Sequence, residues 1–128
     1  MSNQMDIKRA TEFGQAWNSG DAALVASYFT EDGSYHASVG QDRLGKSFRG
    51  RGEVQKGVQR FFEVFPGGRF ENLKVNLFGS FGTFEWDFVV TDAHGNKIST
   101  AGCDLLEFEG NMVKDKNAFR KARPEKAA

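Results

Sequence analysis

Apolar residues recur at intervals of three and four at the start of the chain, at Ile7, Ala10, Phe13, Ala16 and Trp17. That is the stripe of an amphipathic helix, which Ser19-Gly20 ends. Asp21 follows as an N-cap, because its carboxylate can accept from the free N–H groups that open a second helix. This helix is expected to bury Leu24, Val25, Tyr28 and Phe29. Glu31-Asp32-Gly33 then turns the chain into a short strand, Ser34 to Val39, and the glycine- and charge-rich run Gly40 to Gly52 reads as a long loop. A third helix carries Val54, Val58, Phe61, Phe62 and Phe65 on an aromatic face and stops at Pro66-Gly67-Gly68. From there the period changes to two. Phe70 to Phe78 alternates through Leu73, Val75 and Leu77, and Thr83 to Asp92 follows the Gly79-Ser80-Phe81-Gly82 turn. His94-Gly95-Asn96 makes the next turn, and Ile98 to Glu109 and Met112 to Arg120 form a hairpin about Gly110-Asn111. Helices precede a meander of strands, so the predicted class is α+β, with three N-terminal helices packed on one face of a curved antiparallel sheet.

With 128 residues and no internal repeat the chain makes one domain, residues 1–128, and Ala122 to Ala128 is expected to fray. Seventeen basic and 17 acidic side chains cancel, which removes the global field that draws a protein to nucleic acid or an anionic membrane. The basic residues near the end, Lys114, Lys116, Arg120, Lys121, Arg123 and Lys126, read as a solvated strand and tail. One cysteine cannot form an internal disulfide, the start of the chain is polar, and no run approaches the ~20 apolar residues of a membrane span. A cytoplasmic protein is expected. Two histidines far apart, with no Cys/His pairing at ligand spacing, give no metal site.

Strand alternation puts Asp104 on the same face as Leu106 and Phe108, opposite Cys103, Leu105, Glu107 and Glu109. A carboxylate on an apolar face either finds partners or gives up its charge. Asp104 is therefore the main candidate: either a structural carboxylate that accepts from nearby backbone or lies at a sheet edge, or a pocket acid kept protonated so that it donates to a ligand oxygen. Gly40-Gln41-Asp42-Arg43-Leu44-Gly45-Lys46-Ser47 matches the phosphate-loop expression, but Phe48-Arg49-Gly50-Arg51-Gly52 does not continue as the helix such a loop needs. The match is read as accidental. Cys103 reads as a packed thiol and His94 as a turn residue. Either His36 or the Tyr35 face of the first strand looks inward, and both are carried as candidate catalytic groups. Phe84, Trp86, Phe88 and Val90 face the helices, leaving Glu85 and Asp87 on the outer face.

The order of elements, with Trp17-Asn18-Ser19-Gly20-Asp21 between two helices and Gly102-Cys103-Asp104-Leu105-Leu106-Glu107-Phe108-Glu109-Gly110-Asn111-Met112-Val113 near the end, resembles the NTF2-like superfamily. Within it the ketosteroid isomerase and SnoaL-like polyketide cyclase branch is the most similar, over about Ile7 to Lys121. The resemblance implies a cone-shaped curved sheet closed by helices around a ligand cavity, and a homodimer through the outer sheet face. Ketosteroid isomerase works with an Asp base and an oxyanion hole of Tyr and protonated Asp. By position the protonated Asp corresponds to Asp104, whereas the Tyr falls at Phe13 and the base at Ala37. Two of three groups are missing. Tyr35 or Tyr28 would have to supply a displaced phenol and His36 a displaced base. In the resembling cyclases an Asp on the same late strand is the acid/base.

The expected function is binding of a small apolar molecule bearing a carbonyl, enol or phenol oxygen, with Asp104 as its polar anchor. Trp17, Phe61, Phe62, Trp86 and Phe108 are the expected walls, with Phe13, Tyr28, Phe88 and Leu106 also against the ligand. An enzyme of this kind would be a cofactor-independent isomerase or cyclase that moves a proton next to a carbonyl. The alternative is a non-catalytic dimer module for ligand or protein binding.

Overall fold

The computed structural model describes residues 4–122. Helix α1 (Ile7–Ala16) is capped by Asp6, whose side chain accepts from Arg9 N at 2.8 Å. Helix α2 (Ala22–Ser27) is capped by Asp21 in the same way, from Leu24 N at 3.0 Å. Strands β1 (Phe29–His36) and β2 (Ser47–Arg49) precede helix α3 (Arg51–Val64). Then come β3 (Arg69–Phe78), β4 (Phe81–Thr91), β5 (Lys97–Glu109) and β6 (Met112–Arg120). The six strands form one curved sheet in the order β2-β1-β6-β5-β4-β3, with the helices on one face.

Four local expectations change. α2 has only six residues, too few to present a long stripe, so Ala22, Val25 and Ala26 are its buried side. Leu24 is exposed, Tyr28 is the C-cap and Phe29 already opens β1. The first turn of α1 stays in solvent, which leaves Ile7 exposed. Glu31-Asp32-Gly33 does not turn the chain but lies within β1, where the register against β6 jumps between Phe29 and Ser34. The Gly40 to Gly52 loop contains β2, which pairs antiparallel with β1, and β1 meets β6 in the sheet's one parallel pairing.

Two further irregularities decide which side chains face the helices. On β3 the register shifts between Glu71 and Lys74, with Asn72 at φ 58°, so that Phe70 and then Leu73, Val75 and Leu77 turn inward. On β6, Val113 opposes Phe108 but Asp115 opposes Glu107, so Lys114 is an extra residue. Beyond that bulge the parity flips: Lys116, Ala118 and Arg120 face inward and Phe119 faces out. Lys116 is therefore not a solvated base; it is 3% exposed and part of the interior. The expected fraying concerns Ala122, which is exposed, and residues 123–128, which lie outside the described residues together with Arg123 and Lys126.

Candidate functional site

Asp104 sits on the inner face of β5, 2% exposed, as the alternation requires. Its two oxygens are both engaged: Oδ1 accepts from Lys116 Nζ at 2.9 Å and Oδ2 from Trp86 Nε1 at 2.8 Å. The expectation of a protonated acid free to donate to a ligand gives way to a buried ion pair, because the β6 bulge brings an ammonium against it. The Lys116 ammonium lies 4.2 Å from the Trp17 ring centroid and 5.3 Å from that of Tyr35, so aromatic faces supply the remainder of its coordination. Gly102 makes the Trp86 contact possible. It is paired directly with Trp86, and a Cβ there would collide with Cη2 and Cζ3 of the indole. Only a glycine lets the ring lie flat across β5 and reach Asp104.

Tyr35 faces the same interior, paired with Lys116 on one side and with Phe48 on the other, whose ring it stacks on at 5.6 Å. Burial, and after it the Asp104 carboxylate, push its phenol well above the ordinary tyrosine range, against a smaller opposing pull from Arg120. It stays neutral and able to donate. Arg120 comes from the end of β6, half-buried, its guanidinium 5.0 Å from the Phe65 ring centroid and 5.1 Å from that of Phe88. Burial holds its pKa below the usual arginine range.

Among the spaces reached by the inner residues, the unfilled volume lies mostly toward Arg120. A cavity of about 420 Å³ opens at the ends of β4, β5, β6 and α3, lined by Phe65, Phe88, Val90, Ile98, Thr100 and Arg120 with Ser38, Val39, Lys121 and Ala122. It adjoins an inner chamber of about 50 Å³ bordered by Trp17, Tyr35, Phe61, Phe70, Trp86, Lys116 and Arg120. Beside Asp104 itself only about 10 Å³ remains. Trp17 borders both inner spaces, and its Nε1 is a buried nitrogen without a hydrogen-bond partner among the described residues.

Of the expected walls, Trp17, Phe61, Trp86 and Phe88 border these spaces. Phe13, Phe62, Leu106 and Phe108 are packed in the aromatic and aliphatic core instead, and Tyr28 packs on Phe13 under the Arg9 guanidinium. His36 points to the opposite sheet face from Tyr35. Its Nδ1 lies 2.6 Å from Ser47 Oγ and its Nε2 2.8 Å from Asp115 Oδ1, which also accepts from Ser34 Oγ at 2.5 Å. Serine, imidazole and carboxylate are the parts of a nucleophilic relay, yet neither Ser47 nor His36 borders any of these spaces. The trio reads as a clamp across β2, β1 and β6, which removes His36 from the cavity chemistry. Ser47 opens a strand and not a helix, in keeping with an accidental phosphate-loop match. Cys103 is partly exposed on the outer sheet face rather than packed, and burial, then the Asp104 and Glu85 charges, raise its thiol pKa.

A sequence profile described as a SnoaL-like domain matches residues 10–115. The chain belongs to the SnoaL-like domain family. Solved structures agree on the NTF2-like fold. A protein of unknown function with a cystatin-like fold from Xanthomonas campestris superposes with a TM-score of 0.73 at 23% identity, over 95% of this chain and 92% of that one. A putative polyketide cyclase from Xanthomonas campestris pv. campestris gives a TM-score of 0.73 at 17% identity, covering 92% of each chain. A hypothetical protein with a ketosteroid isomerase-like fold from Catenulispora acidiphila, in complex with trimethylamine, gives 0.71 at 16%, over 90% and 86%. No curated protein matches. The SnoaL-like assignment covers both the element order and the late-strand position of Asp104, while Lys116 and Arg120 were not expected to take part. The period-two pattern carried no signal for them, since Lys114 becomes an extra residue only once Glu107, Phe108 and Glu109 pair with Asp115, Val113 and Met112.

Proposed function

We propose that this SnoaL-like domain binds a small apolar molecule carrying a carbonyl or enol oxygen, seated in the cavity beneath Arg120. The observation that carries the reading is the outer cavity of about 420 Å³, within the roughly 300–1,000 Å³ of small-molecule sites, walled by Phe65, Phe88, Val90 and Ile98 and leading to a chamber rimmed by donors. The polar floor is the Asp104–Lys116 pair with Tyr35 beside it. Because both oxygens of Asp104 are occupied, Asp104 is a positioning residue that holds the Lys116 ammonium, and Tyr35 is the group that offers a proton to a ligand oxygen. The same donors would hold the oxygen of an enol or enolate ligand.

The domain works as a homodimer in this reading. Phe81, Leu105 and Phe119 are 57%, 49% and 48% exposed on the outer sheet face, an apolar area that a second copy would cover. Among the described residues no helix is long and apolar enough to cross a membrane. The test is titration with a neutral aryl ketone, 2-acetonaphthone, followed through the fluorescence of Trp17 and Trp86. Saturable quenching that Ile98→Trp abolishes, by filling the outer cavity, supports the reading. Quenching that survives this substitution, or none at all, contradicts it.

A further inference from the structure

We propose that the ligand is a carboxylate, a small aromatic or alicyclic acid whose anionic group enters the inner chamber beneath Arg120 while its ring stays in the outer cavity. This deepens the function proposed above and rests on it. The charges lining the site give the first argument. Lys116 is neutralised by Asp104 at 2.9 Å, whereas the Arg120 guanidinium meets two phenylalanine rings and, among the described residues, no carboxylate. Lys121 is an exposed cation on the rim of the outer cavity, and Arg120 is the half-buried one at the boundary of the two spaces, since it lines both. A guanidinium with two ring centroids 5.0 and 5.1 Å away and no carboxylate partner has its N–H donors to offer, and its planar fork matches the two oxygens of a carboxylate.

Trp17 and Tyr35 add further donors to the chamber, beside the Ser38 hydroxyl, which can donate or accept. Trp17 Nε1 is buried without an acceptor, and Tyr35 is kept as a neutral phenol by its surroundings. A ligand end with only N–H groups to offer would leave these donors unmatched. An end made only of acceptors matches them.

Size separates the head from the body. The chamber of about 50 Å³ has room for a few water-sized groups, each needing about 10–15 Å³, and so for a carboxylate but not for a ring. The ring has to remain between Phe65, Phe88 and Ile98 in the outer cavity.

The experiment compares 2-naphthoate with the neutral isostere 2-acetonaphthone by isothermal titration of the wild-type protein and of Arg120→Gln and Arg120→Lys, each checked for a native melting curve. The expected result is that the acid binds about tenfold more tightly than the ketone or better, the gain of a charge-assisted pair. Arg120→Gln should erase that preference with ketone affinity kept, and Arg120→Lys should restore part of it. Equal or tighter binding of the ketone, or a preference that survives Arg120→Gln, overturns the carboxylate assignment and leaves the small-molecule reading standing. If neither compound binds, both fall.

Discussion

Replacing Asp104 with Asn keeps an acceptor for Trp86 Nε1 but removes the charge that neutralises Lys116. The side chains of the pair are 4% and 2% exposed, so without Asp104 the ammonium keeps only the Trp17 and Tyr35 ring faces and the small chamber it borders. Stranding one member of a buried ion pair costs about 3–5 kcal/mol. For 128 residues the unfolding entropy is roughly 0.27 kcal/mol/K, so the melting temperature should fall by about 10–20 °C. Lys116→Met should cost a similar amount by stranding the carboxylate. Because an ion pair replaced as a whole by apolar volume is often near neutral, the double variant Asp104→Asn/Lys116→Met should recover much of the loss. Denaturant melts of the four proteins give the coupling directly, expected at about 2 kcal/mol or more. A single variant within about 2 °C of wild type, or a coupling below about 0.5 kcal/mol, would refute the claim that these two charges depend on one another.

Gly102→Ala should force the Trp86 indole off β5 and break its bond to Asp104, costing about 1–3 kcal/mol and red-shifting the fluorescence, read by melting and emission spectra. The Tyr35 phenol has its pKa raised in the fold above the model-peptide 10.0. The stability this confers is complete below pH 10 and is lost as pH rises toward the folded value, where the unfolded chain has already shed its proton. Tyr35→Phe should flatten that alkaline loss of stability in pH-dependent denaturant melts. If the proposed dimer forms through the outer face, Leu105→Glu with Phe119→Glu should make the protein sediment as a monomer while leaving the circular dichroism spectrum intact. A wild-type protein that already sediments as a monomer would count against the dimer.

Much of the fold was legible because period and punctuation agree. The change from intervals of three and four to intervals of two after Pro66 marks where helices give way to strands, and Asp21 caps the helix it was expected to cap. Asp104 was legible for the same reason: one carboxylate among Leu106 and Phe108 on a regular strand has only one face to occupy. The partners of Asp104 were not legible, because a bulge is invisible to a period-two reading. Counting inward from Val113 puts Asp115, Asn117 and Phe119 in the core, and the extra residue at Lys114 reverses every one of them. The short β2 was hidden for a different reason. Three residues between glycines carry no alternation of their own, and only pairing with β1 makes Ser47–Arg49 a strand. His36 and Tyr35 are neighbours of opposite sense, and nothing in Ser34 to Val39 says which face is inner until Phe48 and Lys116 stack against one of them.

The central claim is that the space beneath Arg120 holds a ligand by an acid group. A crystal structure of the protein grown with 2-naphthoate tests it most directly. The account predicts carboxylate oxygens within hydrogen-bonding distance of the Arg120 guanidinium, with the naphthyl ring against Phe65 and Phe88. A cavity that stays empty at saturating acid, or a ring seated inward with its carboxylate facing solvent away from Arg120, would contradict it.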